Sequence, residues 1–190
     1  LKNNLSFSRY ERMRKFKIIS KDYDGYPVFN KIYYNNDKDK KDLCIISYVS
    51  LNNYYINSML KLEKKLKKVN FNGHFLYRIG GWPDAKRDGL QHISTPYAFK
   101  QCMFEEAYQL GYRKIIWLDS ICEPLNDLSE VFKYVENNGC LFIPAKYHFQ
   151  VCLNELIIDA MNLSIDEQQS FQHYNARIIG LDLSGEKAMR

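Results

Sequence analysis

In the stretch KIIWLDSICEP, residues 114–124, an apolar run passes directly into an acid, a hydroxyl and a turn. Ile115, Ile116, Trp117 and Leu118 read as a buried strand, with Asp119 and Ser120 where that strand leaves its sheet. A carboxylate at such an exit is placed to meet a ligand or a metal ion. It can equally cap the following turn, which Pro124 and Asn126 support. Two other apolar runs also end in polar groups. LCIISYV, residues 43–49, carries Ser47 and Tyr48 and continues into Ser50, Asn52, Asn53 and Tyr54. HFLYRI, residues 74–79, opens into the Gly- and Asp-rich loop GGWPDAKRDG. Ligands of open α/β sheets gather beyond the carboxyl ends of the strands, so these three exits form the candidate site. Tyr54 fits a core position as well as a ligand contact.

Several other chemistries lack their signatures. The chain contains no GxGxxG, no GxxxxGK[ST] and no GxSxG, which removes the main support for dinucleotide, P-loop and serine-hydrolase readings. His74, His92, His148 and His173 have no metal-ligand spacing and read as surface or hydrogen-bonded histidines.

The elements that must position the exits follow from periodicity. Met59, Leu62, Leu66 and Val69 recur at helical spacing over residues 54–69, with Lys61, Lys64, Lys65 and Lys68 on the other face. Thr95 and Pro96 read as the N-cap and first residue of a second helix, with Phe99, Met103, Ala107 and Leu110 as its stripe and Gly111 at its end. Asp127 and Glu130 have capping-box spacing for a third helix, which Gly139 terminates. CLFI reads as a short strand, a helix is expected near 152–161, Ser164 and Glu167 cap a turn, and ARIIGLDL reads as a last strand. The succession of β–α units predicts an α/β fold with a mostly parallel sheet flanked by helices.

Residues 1–41 read as a polar extension, with a hairpin signal at DYDGYPV, and residues 42–190 as one α/β domain. The net charge of +5 lies in the first part: residues 1–42 carry 11 basic and 6 acidic side chains, whereas the rest is balanced. Arg9, Arg12, Arg14, Lys15 and Lys17 could form an arm for nucleic acid or a membrane surface, but acids at Asp22, Asp24, Asp37, Asp39 and Asp42 favour a solvated flank. No specific nucleic-acid partner is expected. Five cysteines, Cys44, Cys102, Cys122, Cys140 and Cys152, without CxxC spacing argue for reduced thiols and a cytoplasmic location, with Cys44 and Cys140 as small core residues. No apolar run reaches transmembrane length and no signal-peptide pattern opens the chain. The start at Leu1 rather than Met marks the sequence as a possible fragment.

Three segments together resemble the GT-A-fold glycosyltransferases. IIWLDS is similar to the W-(L/M)-D-(A/S)-D strand of the glycogenin-like and galactosyltransferase-like members. HYNARIIGLDL, residues 173–183, resembles their asparagine-bearing strand, and PYAFKQCMFEEAYQLGYRKIIWLDS resembles their helix with an embedded cation leading into the aspartate strand. Order and spacing agree over residues 43–183. The resemblance implies a Rossmann-like, nucleotide-sugar-binding architecture and a protein that transfers sugar from a nucleoside diphosphate to an acceptor, a carbohydrate or glycoconjugate. It implies Asp119 as the first aspartate of the DxD, holding Mn2+ or Mg2+ or the donor's ribose, with Ser120 beside it. It further implies Ser47, Tyr48 and Tyr54 beside the nucleotide, Lys100 on the phosphate or on Asp119, and Asn175 on the donor sugar. Lys100 as a solvent-facing residue and Asn175 as a turn residue are the plain alternatives.

The pattern departs from the family at three places. Ile121 stands at the second aspartate, with Glu123 two residues further on; Arg177 replaces the glycine of the asparagine strand; and the downstream metal-completing segment has no counterpart before Arg190, as in a truncated domain. These departures weaken the expectation of a metal and leave Lys100 or Arg177 to neutralise a diphosphate. Asp182 and Asp84 are unranked candidates for a base. The alternative is a non-catalytic, GT-A-like binding or scaffolding module.

Overall fold

A computed structural model describes residues 29–35, 37–83, 92–95, 97–148, 155–170 and 172–185. The elements in chain order are β1 (Phe29–Tyr33), β2 (Cys44–Val49), α1 (Asn53–Lys68), β3 (His74–Ile79), α2 (Phe99–Gln109) and β4 (Lys114–Leu118), followed by α3 (Ser129–Asn138), β5 (Cys140–His148), α4 (Glu155–Met161), α5 (Ile165–Ser170) and β6 (Gln172–Asp182). Six strands form one sheet in the order β1-β3-β2-β4-β6-β5. The fold is α/β, as the alternation of patterns predicts, but the sheet is mixed rather than mostly parallel. β2 runs parallel to β3 and β4, whereas β1–β3, β4–β6 and β5–β6 are antiparallel.

The physical reason lies in the connections. β4, α3 and β5 make a crossover that leaves a strand-wide gap between β4 and β5. The chain then leaves β5 and re-enters β6 from the same end, with His148 opposite Gln172, so β6 fills the gap running backwards. β1, from the segment read as an extension, adds an antiparallel edge to β3. The hairpin signal at residues 22–28 and the basic residues 9–17 lie outside the described residues.

Strand alternation divides the core in two. Ile45, Val49, Phe75, Ile116 and Leu118 face α1 and α3, where Met59, Leu62, Leu66, Phe132 and Val135 cover them. Cys44, Ile46, Tyr48, Ile115 and Trp117 point to the opposite face, under Met103, Phe104 and Ala107 of α2. Cys44 is thus a core residue, but Cys140, at the start of the edge strand β5, is exposed.

Helix starts differ from the local signals. The side chain of Asn52 caps α1 by accepting from the N–H of Tyr54. α2 begins at Phe99 with Ala98 as its N-cap, not at Thr95 and Pro96, because Tyr97 takes φ 63°, a left-handed conformation that a helix cannot continue. The N-cap of α3 is Leu128, without a side-chain cap, rather than Asp127 of the expected box; Asp127, one residue earlier, accepts from the N–H of Ser129. Ser164 and Glu167 form a reciprocal capping box on α5. Among the described residues no helix is long and apolar enough to cross a membrane.

Candidate functional site

The parity that sorts the core also sorts the residues at the exit of β4. Asp119 follows Trp117 onto the face of α2, and Ser120 follows Leu118 onto the face of α1. Asp119 accordingly meets Lys100 of α2, whose Nζ donates to Oδ1 at 2.9 Å. The indole N–H of Trp117 donates to the same oxygen at 2.6 Å. Ser120 meets Ser58 of α1 at 2.7 Å. Since the Ser58 hydroxyl already donates to the carbonyl of Tyr55, Ser120 is the donor of that pair.

Lys100 is held on every side. Its Nζ also donates to the carbonyl of Ala176 at 2.5 Å and lies 4.9 Å from the centroid of the Trp117 ring. That carbonyl is free to accept because β5 and β6 lose register there. Phe142 pairs with Ile179, but Ile143 pairs with Asn175, leaving Ala176, Arg177 and Ile178 without partners on β5. On the other side, Ile178 stays opposite Leu118, and the carbonyl of Arg177 accepts the N–H of Asp119. The N–H of Arg177 is satisfied by Oδ1 of Asn175.

Beyond the strand ends lies a cleft of about 350 Å³, walled by Tyr48, Tyr55, Tyr97, Phe99 and Trp117, with Ser50, Lys100, Asp119 and Ser120 among its polar residues. Asp119 is 27% exposed, and among the described residues its Oδ2 takes no hydrogen bond. One carboxylate oxygen is therefore fixed and the other is available to a ligand. Tyr48 forms part of the wall, its hydroxyl donating to the carbonyl of Gly81 and its ring packing on Phe99. Gly80 and Gly81 both have positive φ, which lets the chain turn sharply enough to bring that carbonyl back over β2. Burial pushes the Tyr48 phenol well above its ordinary value, so it stays neutral.

A second cleft, about 290 Å³, is lined by Tyr54, Asn57, Ser58, Lys61, Cys122 and Glu123, and shares Ser120 and Ile121 with the first. Burial, and then the Asp119 carboxylate, push the Cys122 thiol up, which keeps it protonated and poorly nucleophilic. Lys65 pairs with Glu123 at 2.9 Å and holds its carboxyl below the ordinary value.

Of the residues singled out from sequence, Tyr48, Ser50, Lys100, Asp119 and Ser120 come together at the first cleft, and Tyr54 stands 68% exposed at the second. Ser47 does not reach either one. Its parity turns it into the core, where it is fully buried and donates to the carbonyl of Leu118 at 2.6 Å, just past the last β2–β4 pair. Asn175 lines neither cleft, and its amide oxygen is committed to Arg177. Arg177 lines neither cleft. Asp182 lies at the far end of β6 opposite Lys114 and caps Ser184. Asp84 is outside the described residues. Sequence reasoning passed over Tyr55, Tyr97 and the aromatic wall role of Phe99 and Trp117. The Tyr54–Tyr55 pair at a helix start was the one visible signal.

The described residues do not fit Mn2+ or Mg2+ at Asp119. Its Oδ1 is taken by an ammonium and an indole, Ile121 offers no oxygen, and Glu123 is tied to Lys65. Among the described residues no three His, Cys, Asp or Glu side chains gather as a ligand set. Neither a protein-family model nor a curated protein matches the chain.

Proposed function

We propose that the aromatic cleft at the exit of β4 binds a nucleoside-diphosphate sugar on a GT-A-like architecture, and that the protein transfers the sugar to a carbohydrate or glycoconjugate acceptor. The observation that carries this reading is the divided carboxylate of Asp119, which lines a cleft walled by rings with Oδ1 anchored by Lys100 and Trp117 and Oδ2 left without a hydrogen bond among the described residues. Such an oxygen accepts from ribose or sugar hydroxyls, and aromatic faces pack on a base or on the apolar face of a sugar ring. A carboxylate beside the anomeric carbon also stabilises the positive charge that develops there as the glycosidic bond breaks. Lys100 acts as a positioning residue, fixing the carboxylate's rotamer. No metal enters this reading. Four reduced cysteines among the described residues are compatible with a cytoplasmic protein.

A second reading, a binding module without turnover, is favoured by one observation. Asn175, expected at the donor sugar, lines neither cleft and gives its amide oxygen to the backbone of its own strand. Calorimetry with a panel of nucleoside diphosphates and their sugars, on the native chain and on Asp119→Ala, tests the donor site. Asp119-dependent binding is expected. Slow release of free sugar from the bound donor then supports the transferase, and binding with no sugar release supports the module. Binding that survives Asp119→Ala unchanged, or no binding to any member of the panel, overturns the donor site.

A further inference from the structure

We propose that the second cleft holds the diphosphate of that nucleotide and that Lys61 is its counter-charge; the inference rests on the donor-site reading above. Three observations exclude the first cleft as the place for two phosphates. Lys100 is the cation there, but two of its N–H groups go to Asp119 and Ala176 and its remaining face lies on Trp117. Together Lys100 and Asp119 carry no net charge, and the accessible oxygen of the pair is the negative one, which repels phosphate. No cluster of metal ligands among the described residues supplies a bridging cation.

The second cleft has what the first lacks. It is continuous with it across Ser120 and Ile121, which line both. Tyr54, Ser58, Lys61 and Lys65 stand on one face of α1 at spacings of four, three and four residues; the first three line the second cleft, and Tyr55, next to Tyr54, lines the first. Lys65 is spent on Glu123. Lys61 is exposed and, among the described residues, enters no ion pair or hydrogen bond; it helps hold the Glu123 carboxyl low only from a distance, behind the bonded Lys65, so its ammonium is available. Lys61 and Lys65 against Glu123 leave the cleft with one positive charge. The N–H groups of Asn57 and the hydroxyl of Tyr54 add neutral donors able to bond phosphate oxygens. A nucleoside stacked between the rings would thus direct its diphosphate across Ser120 toward Lys61, the opposite course from Arg177, which lines neither cleft.

The test measures affinities of the nucleoside, the nucleoside diphosphate and inorganic pyrophosphate for the native chain, Lys61→Gln, Lys61→Arg and Lys64→Gln. Lys64→Gln removes an exposed lysine of the same helix that lines neither cleft. The expected result is a loss of about tenfold in diphosphate affinity for Lys61→Gln, the worth of one charge-assisted bond at an exposed site. Nucleoside affinity should stay unchanged, Lys61→Arg should retain binding, and Lys64→Gln should behave as native. Native-like diphosphate binding by Lys61→Gln, or equal losses in Lys61→Gln and Lys64→Gln, overturns the proposal. If Asp119→Asn weakens nucleoside binding in that case, the donor site stands without it. No nucleotide binding at all removes both.

Discussion

Lys100 and Asp119 occupy unequal surroundings, the ammonium side chain 10% exposed and the carboxylate 27%. That asymmetry fixes which change costs more. Removing the negative charge leaves a buried cation with neutral partners only, whereas removing the cation leaves an acid that water still reaches. Breaking a buried pair costs about 3–5 kcal/mol, and the partial exposure of Asp119 lowers the figure here. Asp119→Asn, which keeps an acceptor for Lys100, is expected to cost about 1–3 kcal/mol in urea unfolding. Lys100→Met should then rescue most of that loss in the double variant, because an apolar chain of similar length fits beneath Trp117 and Phe99. A double variant no more stable than Asp119→Asn would show that the cation is solvated rather than held. The pair was partly legible in sequence. Asp119 stood out as an acid after an apolar run, and Lys100 as a cation on the preceding helix. Ser47 misled because a hydroxyl near a strand end suggests a ligand, while its parity with Ile45 and Val49 sends it to the core.

At the scale of elements, the site depends on a local failure of β5–β6 pairing. The unpaired residues of β6 supply the carbonyls that hold Lys100 and the backbone of Asp119. Asn175 makes the irregularity tolerable by giving the N–H of Arg177 a partner. Asn175→Ala removes that partner and is expected to cost about 1 kcal/mol, with faster amide exchange at Arg177 and weaker donor binding. Asn175→Asp, which keeps the oxygen, should restore slow exchange. Equal exchange in Asn175→Ala and the native chain would show that the asparagine has another task. Nothing in the periodicity of YNARIIGLDL marks this bulge, since a register shift is defined by the partner strand. Local capping chemistry was more legible: the Ser164–Glu167 box forms on α5, and its hydrogen bonds hold the Glu167 carboxyl below its ordinary value. An acid depressed in the folded state contributes stability above its unfolded value and loses it as pH falls through the folded one. Protection of the Ser164 and Glu167 amides should therefore fade on acidification below the ordinary glutamate range. Glu167→Gln, still able to complete the box, should make that protection independent of pH.

For the whole molecule, apolar periodicity located β2, α1, β3 and β4 closely, because their stripes are long and their burial is one-sided or complete. It could not supply strand direction. β6 reads as another strand of a β–α series, and only its long-range partners, Leu118 opposite Ile178 and Leu181 opposite Cys140, make it antiparallel to both neighbours. Its insertion brings it under α3 at Gly180, where an added Cβ would lie 2.5 Å from Cγ2 of Val135 and 3.0 Å from Cβ of Leu141. The backbone there lies outside the left-handed region, so space alone demands glycine. Gly180→Ala is expected to cost about 1–3 kcal/mol through overpacking. Val135→Ala in the same chain should recover part of it by removing the clashing methyl, giving a favourable coupling in a double-mutant cycle. Additive losses would mean that the helix already stands off the strand. The cycle also distinguishes two ways of relieving the clash. If α3 moves outward, donor affinity stays native. If β6 moves instead, the Ala176 carbonyl leaves Lys100, the Asp119 carboxylate loses its fixed rotamer, and affinity falls together with stability.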